Sequence, residues 1–417
     1  MITRLQTVFA SFGFAPIDTP ALEYSEILLG KGSEETDKQM YRFKDNGDRD
    51  VSMRFDLTIP LARFSAMYIN ELGTPFKRYH IAPVWRAEKP QRGRYREFIQ
   101  CDFDIIGSNS LLADAEVLAM VHTGLKTLGV NHTIRINNRS VLNGLLLSIG
   151  ARDKTTAVLR AIDKLEKLGE DVVREELKTE ASIDSNAIDK IFALLSFSAA
   201  RTSDEELLKN ISSEFSKEDA LLEGVEKLST VSKHLEAFGI KKEARKIDFS
   251  IARGLDYYTG TVFETVFNEL PHIGSICSGG RYDNLASLYT KKELPGVGGS
   301  IGLDRLLGAL EELDRIPKRT TSANVLVTIL DKESQSFSIE TATKLREAGH
   351  AVELTLESSK LGNQFKYAER KGIQYVVLCG AKEAQTKELS FKDIISGTQY
   401  GPFAQKDLGV ELSKLAK

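Results

Sequence analysis

The densest concentration of chemistry-bearing residues lies between Phe76 and Gly107, FKRYHIAPVWRAEKPQRGRYREFIQCDFDIIG. Residues 77–96 hold seven Lys or Arg against a single acid, Glu88. The sign then reverses. Gln100, Asp102 and Asp104 alternate along the chain, and alternate residues of a strand share one face. A surface with guanidinium groups at one end and carboxylates at the other suits a zwitterion bound beside a polyphosphate. Arg supplies the planar donor fork that phosphate and carboxylate oxygens accept. Phe98 adds a flat face on which a base can stack.

Three further segments carry weaker signals. Residues 251–264, IARGLDYYTGTVFE, set Arg253 and Asp256 around a Gly-Leu turn and follow with Tyr257 and Tyr258. Residues 276–285, ICSGGRYDNL, contain a Gly-Gly pair that lets backbone approach a ligand closely. Residues 294–307, LPGVGGSIGLDRLL, place a glycine-rich strand directly before a helix with Arg305 in its first turns. Neither a GxxxxGK[ST] loop nor a dinucleotide-binding spacing occurs. None of the six histidines forms a pair with zinc-ligand spacing, and His80 reads as a structural histidine.

Positioning these residues requires a scaffold whose elements the pattern outlines. Apolar spacing predicts helices over 4–12 and 60–72, and strands over 76–88 and 95–106 joined by the basic loop 89–93. Strands are also expected at 248–252, 261–268 and 295–300. Gly279-Gly280 reads as a breaker followed by a short helix, and a further helix is expected over 301–313. Residues 151–245 differ in texture, with three glycines, no proline and charged residues at helical periods, and predict an all-helical insert. After a charged linker at 313–322, β-type runs at 324–330, 351–356 and 373–379 alternate with helical stretches at 334–348 and 361–371. That βαβαβ order predicts a small, mostly parallel sheet.

Composition sets the outer limits. The 417 residues suggest two or three domains. A net charge of −3 excludes a polybasic nucleic-acid binder, so any contact with nucleic acid must come from a local patch. The apolar runs fall short of the roughly 18 residues of a membrane helix, and the start has no signal-peptide form. Cys101, Cys277 and Cys379 lie far apart without CxxC spacing, which points to reduced thiols and a cytoplasmic protein.

Taken together and in this order, the four segments resemble a class II aminoacyl-tRNA synthetase, specifically the histidyl-tRNA synthetase family. Trp85-Arg86-Ala87-Glu88, a loop, then Arg94 and Phe98 resemble the second motif of that class; Gly298–Arg305 resemble the third, and residues 14–20 the end of the first. ARGLDYYTGTVFE and CSGGRYDNL resemble the two segments particular to histidyl enzymes. MRFDLTIPLARF and YREFIQCDFDIIG are similar to the archaeal and eukaryotic style of the family.

The resemblance implies an α+β fold: an antiparallel-sheet catalytic core over 1–150 and 246–312, a helical insertion over 151–245, a linker over 313–322 and an α/β anticodon-binding domain over 323–417. It implies a homodimer that joins L-histidine to tRNA(His), using ATP with Mg²⁺ and no protein metal site. Asp56, Thr58 and Gln100 would hold the α-amino group; Asp104 and Tyr258 would orient the imidazole, with Tyr257 lining the pocket. Arg86 would bridge the substrate carboxylate and the α-phosphate. Glu88, Arg94 and Arg305 would bind ATP with Phe98 under the adenine. Arg253 would place a fixed cation beside the α-phosphate and the histidine, and Gln91 would approach the acceptor end of tRNA. Arg86, Arg253 and Arg305 are thus the expected catalytic set. The chain is expected to start inside the family's usual first helix. The alternative is a non-catalytic relative, a histidine-binding regulatory subunit of ATP phosphoribosyltransferase; retention of Arg86, Arg253, Arg305 and the C-terminal domain weighs against it.

Overall fold

The computed structural model describes residues 1–29, 38–89, 93, 95–199, 202–251, 258–316 and 320–415. The chain forms two compact units, Met1–Leu313 and Asp314–Lys417.

The first unit contains eleven strands among its described residues: β1 (Ala15–Pro16), β2 (Leu22–Tyr24), β3 (Arg42–Lys44), β4 (Asp50–Met53), β5 (Phe76–Trp85), β6 (Glu97–Ile106), β7 (His132–Asn138), β8 (Arg245–Ile247), β9 (Thr261–Phe267), β10 (Ser275–Tyr282) and β11 (Gly296–Gly302). Eight of them make one sheet in the order β1-β5-β6-β11-β10-β9-β7-β8. β1–β5 and β7–β8 pair in parallel, and the rest of this sheet is antiparallel. β2, β4 and β3 form a small separate sheet.

The long hairpin β5–β6 follows from its sequence. Ten aromatic-rich and β-branched residues on each side pair without a register break, from Phe76 opposite Ile106 to Trp85 opposite Glu97. One consequence is that Arg78, His80 and Ala82 stand opposite Asp104, Asp102 and Gln100. The Thr58–Leu72 helix runs alongside and buries Ile59, Leu61 and Ile69 into a cluster with Phe55, Phe76, Ile106 and Tyr282. Gly73, at φ 73°, ends it. The described part of residues 152–237 is helical, with Val158, Leu177, Ile191 and Leu228 among its buried apolar side chains.

Several expectations need correction. The Gly279-Gly280 pair does not break a strand; it lies inside β10, paired on one side to β11 and on the other to β9. A Cβ on Gly279 would overlap the Gly298 carbonyl, so glycine is what allows these strands to pack so closely. The expected strand at 248–252 is displaced: β8 ends at Ile247, and Asp248 to Ile251 turn away with the Asp248 side chain accepting the Ser250 amide and hydroxyl. The helix expected from Ile301 begins at Leu303, because Ile301 and Gly302 remain paired to β6.

The second unit has a five-stranded sheet in the order β13-β12-β14-β15-β16, built from β12 (Val325–Val327), β13 (Val352–Leu354), β14 (Tyr375–Leu378), β15 (Glu388–Asp393) and β16 (Gln399–Ala404). The first three are parallel, as the βαβαβ order predicts, and the last two are antiparallel. The expectation of a mostly parallel sheet missed this hairpin, whose strands alternate short apolar residues with charge and polarity. Its core contains Val325, Val327, Phe337, Leu345, Val377 and Phe391.

Candidate active site

Asp56, Asp102 and Asp104 are each 2% exposed, and Gln100 is 9% exposed. Burying three carboxyls beside one another is costly unless cations or donors compensate. Burial pushes Asp56 up to about 6 and Asp102 up to about 7, and raises Asp104 as well. The Ile59 amide and the charges of Arg86 and Arg78 work against this shift at Asp56; the Arg78 charge does so at Asp102. Asp56 Oδ1 accepts the Ile59 amide at 3.2 Å, at the positive end of the Thr58–Leu72 helix.

Arg78, fully buried on β5, places Nη2 2.6 Å from Asp104 Oδ2. The other oxygen of Asp104 accepts the Tyr282 hydroxyl from β10. Gly298 stands opposite Asp104 on β11, and a Cβ there would overlap the Asp104 carboxylate. Tyr258 is half-buried and packs against the cluster that contains Tyr282; its backbone carbonyl accepts from Arg139 at 3.0 Å. Four buried acceptor oxygens here lack a hydrogen-bond partner among the described residues, namely Asp56 Oδ2, Gln100 Oε1, Asp102 Oδ1 and Asp104 Oδ2, the last in charge contact with Arg78; Arg78 Nε and Nη1 and His80 Nδ1 are unpartnered on the donor side. Asp56 Oδ2 and Gln100 Oε1 thus leave acceptor capacity for the N–H groups of a ligand.

The same face of the sheet continues into a cleft of about 290 Å³, lined by Arg86, Glu88, Phe98, Gln100, Ser300 and Arg305 among others. Arg86 is aimed by its Nε, which donates to the Phe55 carbonyl at 3.0 Å, and its guanidinium lies over the Phe98 ring at 5.2 Å. Arg305 donates to the Ser275 carbonyl. Asp304 accepts the Ile99 amide at 2.7 Å, which ties the start of the Leu303–Glu312 helix to β6.

The expected residues therefore fall into two adjoining groups. Asp56, Gln100 and Asp104 are buried among the polar residues of the sheet face, with Thr58 half-buried at the helix start and Tyr258 beside them. Arg86, Glu88, Phe98 and Arg305 line the cleft, and Gln100 belongs to both. Gln91, Arg94, Arg253 and Tyr257 lie outside the described residues. Sequence reasoning did not single out Arg78 or Tyr282. Arg78 lies in the 76–107 segment and Tyr282 in the 276–285 segment, and the alternation of β5 against β6 is the signal that puts Arg78 opposite Asp104.

Comparison with known proteins gives this arrangement a family. The model "Histidyl-tRNA synthetase" matches residues 1–306, and the model "Anticodon binding domain" matches residues 324–412. The chain belongs to the histidyl-tRNA synthetase family. A histidine–tRNA ligase of Rhodopirellula baltica is 51% identical over 399 residues, covering 94% of this chain and 90% of the relative. One from Helicobacter hepaticus is 45% identical over 402 residues, covering 96% and 91%. Among solved structures, the histidyl-tRNA synthetase of Nostoc sp. PCC 7120 superposes with a TM-score of 0.89 at 35% identity, covering 99% of this chain and 94% of that one. A Bacillus halodurans structure titled as an ATP phosphoribosyltransferase regulatory subunit/histidyl-tRNA synthetase gives a TM-score of 0.73 at 24% identity over 88% of this chain and 90% of its own, and shares the fold. The catalytic unit is thus a synthetase-type antiparallel core, and the second sheet belongs to an anticodon-binding domain of the family.

Proposed function

We propose that this chain is a histidine–tRNA ligase, which activates histidine with ATP to histidyl-adenylate and then transfers the histidyl group to tRNA(His). The observation that carries this reading is the set of buried acceptors at Asp56, Gln100 and Asp104 beside a cleft lined by Arg86, Phe98 and Arg305. A histidine molecule brings an ammonium and an imidazole N–H to the acceptors and a carboxylate to Arg86.

Activation joins two anions, since the histidine carboxylate must attack the α-phosphorus of ATP in line. Positioning and fixed cations lower that barrier, and no side-chain nucleophile is required. Asp56, Thr58 and Gln100 hold the ammonium. Asp104, set by Arg78 and Tyr282, accepts from the imidazole with Tyr258, and Tyr257 lines that end. Arg86 bridges the carboxylate and the α-phosphate, with Arg253 as a second cation there. Glu88, Arg94 and Arg305 hold ATP, and Phe98 supports the adenine. Mg²⁺ bound to the triphosphate would neutralise part of its charge, beside the arginines that hold it. Gln91 approaches the tRNA acceptor end. A competitor without imidazole donors would leave Asp104 buried and underused, which favours histidine at the binding step.

The same reading places the catalytic core in residues 1–150 and 246–312, the helical insertion in 151–245 and the anticodon-binding domain in 323–417. It makes the working form a cytoplasmic homodimer. A purely regulatory histidine-binding role is disfavoured by the arginines of the cleft and by the anticodon-binding domain. The test is histidine-dependent exchange of pyrophosphate into ATP by the purified full chain with Mg²⁺. Exchange that depends on histidine and not on other amino acids is expected; its absence rules the ligase reading out.

A further inference from the structure

Asp102 is absorbed by none of the roles above, yet it is buried in the middle of the site. It stands between Gln100 and Asp104 on the same face of β6, directly opposite Ser300 on β11 and His80 on β5. Its Oδ1 has no hydrogen-bond partner among the described residues. Ser300 is the hinge of the local network. Its Oγ accepts from Gln100 Nε2 at 3.0 Å, and across the β6–β11 pair it stands directly opposite Asp102 on the same face, the position from which its hydroxyl faces that carboxyl.

The direction of this chain is set by chemistry. In its ionised form Asp102 only accepts, so Ser300 then spends its single proton on Asp102 and is left with lone pairs toward Gln100. The Gln100 amide must then present its NH₂ to Ser300, and its Oε1, which has no donor among the described residues, is turned the other way. Were Ser300 free to rotate, it could donate to Oε1 instead, the amide would flip, and an NH₂ would face the incoming ammonium.

We propose that Asp102 is a positioning residue which, through Ser300, fixes the Gln100 amide with its carbonyl oxygen toward the substrate's α-ammonium. The proposal rests on the histidine–tRNA ligase reading, and it assigns to one carboxyl and one hydroxyl the job of orienting the amide that recognises the amino end. Asp102 does not itself touch the substrate in this scheme. The geometry also explains why a serine interrupts the glycine-rich strand Gly296–Gly302: glycine at 300 would leave the strand intact but no hydroxyl to relay the orientation.

The full chain is assayed by histidine-dependent pyrophosphate exchange and by calorimetric binding of two probes. Histidinol carries the ammonium and imidazole; imidazolepropionate carries the imidazole and a carboxylate but no ammonium. Asp102→Asn and Ser300→Ala are each expected to raise the histidine KM and weaken histidinol binding about tenfold, the scale of one hydrogen bond to a charged group. The KM for ATP and the affinity for imidazolepropionate stay within about twofold. The double variant loses no more than either single one, because both break the same chain. Ser300→Thr keeps the hydroxyl and restores most of the affinity. If Ser300→Ala binds histidinol as tightly as the parent while Asp102→Asn does not, Asp102 acts by its charge alone and the relay is overturned. Equal losses for the two probes would reduce both residues to structural roles and overturn it as well. If the parent chain binds neither histidine nor histidinol, the ligase reading falls together with the relay; if the parent charges normally and both variants bind histidinol as tightly as it does, the relay alone falls.

Discussion

Arg78 and Asp104 meet across the β5–β6 pair with charged atoms 2.6 Å apart, the guanidinium wholly buried and the carboxylate 2% exposed. An ion pair so placed is weak evidence of net stabilisation, but removing one partner strands the other in a poorly solvated site. Arg78→Met is therefore expected to lower the unfolding free energy by about 3–5 kcal/mol, measured by urea denaturation. Adding Asp104→Asn to that variant should recover part of the loss. A single-variant loss well under 1 kcal/mol would mean that Asp104 stays neutral in the fold and needs no counter-charge.

Tyr282 donates its hydroxyl to the second oxygen of Asp104, and burial together with the neighbouring Asp104 charge keeps that hydroxyl protonated. Tyr282→Phe leaves the carboxylate one donor short and free to turn. The expected result is a histidine KM raised about tenfold with the ATP KM unchanged, on the usual scale of one buried hydrogen bond. Steady-state pyrophosphate exchange with each substrate varied in turn separates the two. A matching rise in the ATP KM would place Tyr282 on the nucleotide side instead.

How much of this was legible in the chain follows from what each feature depends on. The β5–β6 hairpin depends on local composition, and its strands were readable to within two or three residues. The shared face of Gln100, Asp102 and Asp104 follows from period-two alternation, so it was readable too. Which cation meets Asp104 is a matter of register, and register is fixed by the whole run of pairs from Phe76 to Trp85 rather than by any one residue. Tyr282 reaches Asp104 only because β11, with Gly298 at the crossing, lets β10 and β6 come close. The Gly279-Gly280 pair reads as a breaker but lies inside β10, because its purpose is contact between strands, which composition cannot distinguish from a turn. In the second unit, β15 and β16 form a short hairpin of mixed polar and apolar residues, which carries no apolar run to mark it in the sequence.

The carboxyl titrations carry a signed consequence. Asp102 at about 7 and Asp56 at about 6 are both raised from 3.8, mainly by burial. A raised carboxyl favours the neutral form in the fold, so its contribution to stability is full below about pH 4 and is lost as pH rises through the folded value. Asp102→Asn removes one such loss. The variant should match the parent near pH 4 and exceed it in stability at pH 8, by on the order of 2–4 kcal/mol. Thermal melts of the histidine-free protein at both pH values check this. A stability difference that does not change with pH would mean Asp102 does not titrate in that window.

Arg305 and Arg86 line one cleft but are held differently. Arg86 donates through Nε to the Phe55 carbonyl and lies over Phe98, whereas Arg305 donates through Nη1 to the Ser275 carbonyl. Arg86 therefore faces both substrates in the proposed scheme, and Arg305 faces ATP alone. Arg86→Ala should depress kcat and raise both KM values, with kcat/KM for exchange down by at least a hundredfold, the scale on which loss of a preorganised charge is felt. Arg305→Ala should act chiefly on the ATP KM. Histidine binding measured without ATP is expected to fall in the first variant and hold in the second; the opposite pattern would exchange their roles.

The two compact units make a last prediction possible. The second has its own core, including Val325, Phe337, Val377, Phe391, Leu408 and Leu412, and the first closes its own sheet without a strand from beyond Leu313. Every described residue of the proposed adenylation chemistry lies in the first unit, while the anticodon-binding match covers residues 324–412. Ending the chain at Leu313 should therefore leave histidine-dependent pyrophosphate exchange within a few-fold of the full chain. Charging of tRNA should fall far more, about a hundredfold in kcat/KM, since each stacked base lost is worth about 1–3 kcal/mol. Exchange and aminoacylation assayed on the same preparation give the comparison, with a circular-dichroism melt to confirm that the shortened chain is folded. If a folded Met1–Leu313 chain lost both activities equally, adenylation would require the second unit, and the separation of amino-acid activation from tRNA recognition would have to be given up.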